Sequence, residues 1–200
     1  PIMRGEEEIV EADYLTDAIT REAVDFIDSH DQQSFCLVVS YNAVHSPMQA
    51  KLEDVAALRR IKDIQRRIFA GMLVALDRGV GRVRQQLAAS GLTDDTMVVF
   101  VSDNGGPTAE LTSSNAPLRG GKGTLYEGGI RVPMVWSFPG RLPVGQSEDR
   151  PVLSLDIAAT ALDAAGLPVV EEFDGRSLLD WIDDPTSESP HTQLFWRMQG

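Results

Sequence analysis

Three short, unbroken apolar runs separated by long amphipathic stretches constrain this chain most. Residues 35–40 (FCLVVS), 97–102 (MVVFVS) and 132–137 (VPMVWS) lack the polar alternation of a strand with one wet face. Each therefore reads as a strand buried on both faces. Between them lie helical periods. Residues 13–29 put Leu15, Ile19, Ala23, Phe26 and Ile27 on one face, with Thr16 or Asp13 as the cap. Residues 61–90 carry Ile61, Ile64, Ile68, Met72, Leu76, Val80, Val83 and Leu87 in one stripe, closed by Ser90-Gly91. Residues 154–165 read as another helix, stopped by Gly166 and Pro168, and Leu194–Arg197 as the opening of a further strand. Strands that alternate with helices predict an α/β fold: a mainly parallel sheet with helices on both faces.

Charge narrows the partners. The 200 residues carry a formal net charge of -12, which repels nucleic acid and anionic membrane surfaces. Any oxyanion ligand would need cations concentrated locally. No apolar run approaches the ~20 residues that cross a bilayer. The single cysteine, Cys36, lies in an apolar run and reads as a small buried hydrophobe; Glu6, Glu7 and Glu8 read as solvated surface. The chain opens Pro-Ile-Met-Arg, with neither an initiating Met nor a leader pattern, so its start reads as internal to a longer protein.

Parallel sheets place ligand sites beyond the carboxyl ends of their strands. Two strand ends offer polar groups there: His45 after the first run, Asp103-Asn104 after the second. Asp103-Asn104 supplies a carboxylate and an amide oxygen, the ligands hard cations take, although Asp-Asn-Gly is first of all a turn sequence. The Gly-rich stretch 105–129 is a long loop of the functional kind, and it offers Arg119, Lys122 and Arg131. Lys122 stands between Gly121 and Gly123, where backbone can approach a ligand closely. It is not a P-loop lysine, because Gly123 follows it and Ala116 fills the upstream glycine slot. Taken singly, Lys122 is a surface lysine and His45 a loop histidine able to bind an anion or move a proton.

Together these segments resemble a known family. Residues 101–106 (VSDNGG), 115–133 (NAPLRGGKGTLYEGGIRVP), 44–47 (VHSP) and 173–179 (FDGRSLL) are closely similar to motifs of the sulfatases, above all arylsulfatases and glycosaminoglycan sulfatases. The likeness covers nearly the whole chain, and the helix at 61–90 looks like the one that separates two of those motifs. The resemblance implies an alkaline-phosphatase-like α/β sandwich. Residues 1–185 would be part of the catalytic domain and 186–200 the start of a smaller C-terminal sheet subdomain. It implies one divalent cation, calcium ahead of magnesium, with Asp103 and Asn104 as two of its ligands. Lys122 would hold a sulfate oxygen and assist the leaving group. His45 would bind the same sulfate and protonate the ester oxygen. The substrate would be a sulfated small molecule or glycan, and the parent enzyme periplasmic or secreted.

The sequence also departs from the family. The nucleophile there is a formylglycine made from a Cys (or Ser)-x-Pro-Ser-Arg motif, and none occurs in these 200 residues. An Asp pair that completes the metal site in the family is absent too. The expectation is that both precede Pro1 and that this stretch alone turns over no substrate. Two other readings stay open: a phosphomonoester or phosphonate hydrolase of the same superfamily, and an inactive relative that binds sulfated glycans.

Overall fold

The computed structural model describes residues 2–108, 112–184 and 186–198. The chain divides into two units, residues 1–92 with 107–114, and residues 93–106 with 115–200.

The first unit opens with an antiparallel hairpin, β1 (Ile2–Arg4) and β2 (Glu7–Ile9), in register Ile2↔Ile9. Helices α1 (Leu15–Ser29), α2 (Leu52–Ala57) and α3 (Ile64–Ala89) follow, with α1 and α2 packed on α3. The innermost residues of α1 are Thr16, Ala18, Thr20, Ala23 and Ile27; Leu15, Ile19 and Phe26 of the expected face are only half-buried. The cause is a close crossing with α3 at Gly79. A Cβ there would meet Thr20 Oγ1 at 2.6 Å and the Tyr41 hydroxyl at 2.9 Å, so only small groups fit. The polar atoms in this contact are satisfied. Thr20 Oγ1 donates to the Thr16 carbonyl (2.7 Å), so the hydroxyl of Tyr41, 2.9 Å away, is the donor toward Thr20.

Helix ends follow local chemistry. Tyr14 occupies the N-cap of α1 without a side-chain cap bond, whereas Asp13 instead accepts from Arg21 (2.5 Å) and Thr16 turns inward. Asp63 caps α3 by accepting from Arg66 N (2.7 Å), which starts that helix at Ile64 and leaves Ile61 outside it. At the other end Gly91 has φ +71° and Leu92 N donates to the Leu87 carbonyl (2.8 Å), the Schellman closure that Ser90-Gly91 foretells. Asp54, buried on α2, receives both Nη atoms of Arg78 (3.0 and 2.7 Å).

Residues 35–40 are not the buried strand expected. No described strand pairs with them, so the two faces a sheet would cover stay open. Phe35, Leu37 and Val39 are half-buried, but Cys36, Val38 and Ser40 are exposed, Val38 by 81%. Cys36 is thus a surface thiol rather than a core residue.

The second unit contains β3 (Val98–Val101), α4 (Glu127–Ile130), β4 (Met134–Ser137), α5 (Asp156–Ala164) and α6 (Leu179–Asp183). Strands β3 and β4 pair antiparallel, Val98 opposite Ser137 and Val101 opposite Met134. They coincide with two of the apolar runs, but Phe100 (40%) and Val135 (59%) are exposed. Both ladders among the described residues are antiparallel pairs. Residues 194–198 pair with no described strand, and Phe195 is 83% exposed.

Buried Asp156 organises this unit. Its Oδ2 accepts from Leu153 N (2.7 Å), its Oδ1 from Arg176 N (2.8 Å), and both lie within 3.0 Å of His191 Nε2. Thr160 Oγ1, in turn, accepts from Leu178 N (3.0 Å). These bonds tie the 175–178 segment to α5 and carry Leu178, Leu179 and Trp181 into the core with Ala159. Arg150 lies 4.3 Å over the Trp181 ring and donates to the Ser187 carbonyl. Its guanidinium also pairs with Glu148 and, with the Arg150 backbone N–H, holds that carboxyl down at about 2.

Gly79 and Gly81 give a paired test. Gly→Ala in a helix interior gains ~1 kcal/mol when nothing is in the way. Gly81 has no atom within 4 Å of a built Cβ, so Gly81→Ala should stabilise by about that amount. Gly79→Ala should instead destabilise by ~1–2 kcal/mol, because overpacking of ~1–3 kcal/mol outweighs the helix gain. Urea unfolding of both variants reads the opposite signs. The same measurement should rank Asp156→Ala, which strands three donors, at ~3–5 kcal/mol of loss. His191→Ala, which leaves Asp156 its two backbone donors, should lose less.

Candidate active site

The site residues of the second unit sit on a loop whose backbone strands touch one another directly. Strand β3 ends at Val101, and Ser102 N donates back to the Pro133 carbonyl (3.2 Å), which fixes where the chain leaves the ladder. Asp103 is exposed and Asn104 half-buried. Asp103 Oδ1 accepts from Asn104 N (2.9 Å) and Nδ2 (3.1 Å) within a bend of the backbone. Ser102 Oγ donates to the Asn104 carbonyl (2.9 Å) and closes that bend.

Beyond it, Gly105 N donates to the Gly129 carbonyl (3.0 Å) and Gly128 N to the Arg119 carbonyl (2.8 Å). A Cβ on Gly105 would overlap the Gly128 carbonyl oxygen, and one on Gly121 the Gly106 carbonyl oxygen. Those glycines are needed for close approach. The stretch expected to be wholly loop contains the short α4, whose Gly128 and Gly129 are buried in this packing.

Lys122 is exposed, and its backbone N–H points to the Gly106 carbonyl (3.4 Å). The lysine that the sequence singles out and the Asp-Asn pair are thereby joined through Gly106, two residues past Asn104. Thr124 Oγ1 donates to the Gly121 carbonyl (2.8 Å) and shapes the turn around the lysine. Arg119 stacks 3.8 Å over the Tyr126 ring, while Arg131 pairs with Glu127 (3.4 Å) on the surface. Arg119 and Arg131 therefore have partners inside the loop.

Asn115 joins these residues and was not singled out from the sequence. Its Oδ1 accepts from Gly106 N (2.9 Å), and its Nδ2 donates to the carbonyls of Gly106 (2.8 Å) and Gly120 (3.0 Å). The available signal was an amide side chain, donor and acceptor together, inside a run of glycines whose backbone groups need partners.

His45 belongs to the first unit, in the exposed turn after residues 35–40. Its backbone N–H donates to the Asn42 carbonyl (2.8 Å), and its Nδ1 lies 2.7 Å from the Ser46 carbonyl. A carbonyl only accepts, so Nδ1 carries a proton and proton exchange with a ligand would run through Nε2.

The donors suit a hard divalent cation in kind but not in number. A carboxylate and an amide oxygen are what calcium or magnesium takes, yet calcium takes six to eight oxygens. Among the described residues no three His, Cys, Asp or Glu side chains gather to hold a metal. Asn104 also turns its amide nitrogen to Asp103, whereas a shared cation would call for the amide oxygen. Asp103 and Asn104 are thus at most part of a ligand set.

Comparison with known proteins gives this geometry a family. A family model described as Sulfatase matches residues 3–167. Human steryl-sulfatase is 33% identical over 192 residues, 92% of this chain and 32% of its own length. The protein named uncharacterized sulfatase YdeN, from Escherichia coli K12, is 30% identical over 98% of this chain and 36% of its own. Among solved structures, Ps i-CgsB superposes with a TM-score of 0.86 at 40% identity, over 90% of this chain and 40% of that one. Its complex with k-i-k-neocarrahexaose gives 0.84 at 41%. The chain spans about a third of the curated relatives it matches. The α/β, alkaline-phosphatase-like class expected from the sequence is the class of the solved structures it superposes on. With motifs, fold and family model in agreement over most of its length, the chain belongs to the sulfatase family.

Proposed function

We propose that the protein containing this chain hydrolyses a sulfate monoester, and that the chain supplies the leaving-group half of the site. One observation carries the reading: the Gly106 carbonyl meets the Lys122 N–H, so the Asp103-Asn104 turn and the lysine-bearing turn lie side by side. Residues 1–185 are then read as part of the catalytic domain and 186–200 as leading into a smaller subdomain.

S–O cleavage builds negative charge on the bridging oxygen, and cations fixed there favour the transition state over the ground state. Lys122 would take a sulfate oxygen and neutralise part of that charge. Asp103 and Asn104 would contribute two oxygens to a divalent cation, calcium ahead of magnesium, completed by residues elsewhere in the protein. Such a cation, when bound, polarises the sulfate oxygens as a Lewis acid. His45, with Nδ1–H held by the Ser46 carbonyl, is proposed by family resemblance as a sulfate-binding residue acting through Nε2, which when doubly protonated could give its proton to a leaving oxygen. The nucleophile is assigned to a formylglycine in the remainder of the protein. These local cations offset the repulsion expected from a net charge of -12. The 40% identity to Ps i-CgsB, solved with k-i-k-neocarrahexaose, favours a sugar sulfate over an aryl or steryl sulfate as the natural substrate.

The test uses the full-length protein with 4-nitrophenyl sulfate, 4-nitrophenyl phosphate and sulfated oligosaccharides, with and without a chelator. Sulfate ester turnover should exceed phosphate turnover and vanish on chelation. Lys122→Ala should lower kcat/KM by ~10²–10³-fold without loss of fold. Preferential phosphate turnover would favour the phosphoesterase alternative. Binding of sulfated sugar without turnover would favour an inactive glycan-binding protein.

A further inference from the structure

We infer that Asn115 is a positioning residue for Lys122, setting the lysine's place relative to the Asp103-Asn104 turn. The inference rests on the reading of Lys122 as the sulfate-holding residue. A lysine side chain is a flexible four-carbon stem, so the accuracy of its ammonium group begins with its backbone. The direct backbone bond here is weak, because Lys122 N reaches the Gly106 carbonyl only at 3.4 Å, beyond the usual 2.7–3.2 Å range. The shorter connections run through Asn115. Its amide accepts from Gly106 N at 2.9 Å and donates to the Gly106 carbonyl at 2.8 Å, which grips one peptide segment from both sides. The remaining Nδ2 proton goes to the Gly120 carbonyl at 3.0 Å, two residues before Lys122.

The chemistry is specific to asparagine. Joining one N–H and two carbonyls takes an acceptor and two donors on one short side chain. Aspartate has no donor when ionised, serine has only one, and glutamine is a methylene longer. The amide also fills the space over Gly121, where a Cβ would come within 2.9 Å of Nδ2. Asn115 thereby holds the segment after the proposed metal ligands to the segment before the proposed sulfate-holding lysine. It touches neither substrate nor metal in this role.

The experiment is a double-mutant cycle in the full-length protein, with 4-nitrophenyl sulfate as the probe and thermal melts as the control. Asn115→Ala should lower kcat by about 10²-fold, the scale of an ångström-sized misplacement, with most of the loss in kcat rather than KM. Asn115→Asp, which keeps shape and acceptor but has no donor, should lose as much and serves if the alanine variant folds poorly. The Asn115→Ala/Lys122→Ala double variant should be no slower than Lys122→Ala alone, because the brace has nothing left to position. Losses that multiply in the double variant would overturn the proposal. So would a lowered melting temperature with kcat of the folded protein unchanged. If Lys122→Ala itself keeps wild-type activity, the functional reading falls and takes this inference with it. If Lys122→Ala is impaired while both Asn115 variants are not, only the inference falls.

Discussion

A carbonyl oxygen and a methyl group cannot share one place, and that exclusion shapes the loop between Gly105 and Gly129. Bare backbone packs on bare backbone there, Gly105 against Gly128 and Gly121 against Gly106. Peptide groups this close need partners. They find them in one another and in the Asn115 amide. Two segments apart in sequence, Asp103-Asn104 and Gly121-Lys122-Gly123, are thereby brought close through Gly106. The β3–β4 ladder aims the chain into the loop, and the Asp156 hub ties the 175–178 segment to α5.

Packing of this kind also has an electrostatic use. An ammonium group on a floppy stem stabilises charge in proportion to how little it must reorganise, so fixing its backbone matters to chemistry as well as to stability. The chain's excess of carboxylates makes local placement more important still. Among the described residues the ion-paired cations Arg4, Arg21, Lys51, Arg78 and Arg150 are engaged with carboxylates away from the Gly-rich loop. Among the loop's own cations, Arg119 is stacked on Tyr126 and Arg131 paired with Glu127.

Much of this was legible in the residues. Helix α3 is readable at its C-terminal end, where Gly91 marks the stop, and along its apolar stripe, whereas Asp63 puts its start three residues inward of the expected one. Strands β3 and β4 are legible from their apolar runs; Lys122 stands out by its flanking glycines and Asp103-Asn104 by its place after a strand, and the role of each is a proposal. Residues 35–40 misled because an apolar run signals a strand only where a neighbour pairs with it, and composition does not show the neighbour. The α1 face misled because the closeness of Gly79 decides which side chains go inside, and periodicity counts threonine as polar. Asn115 and His191 were missed for one reason: each acts through hydrogen bonds to segments distant in sequence, which no local pattern encodes.

In the proposed function the Asp103-Asn104 turn and Lys122 face one bound cation and one bound sulfate. A crystal structure of the full-length protein grown with calcium and inorganic sulfate tests it most directly. Side-chain oxygens of Asp103 and Asn104 should lie ~2.3–2.6 Å from a single cation, with Lys122 Nζ on an oxygen of an adjacent sulfate. A cation bound elsewhere, or a sulfate site that Lys122 does not reach, would contradict it.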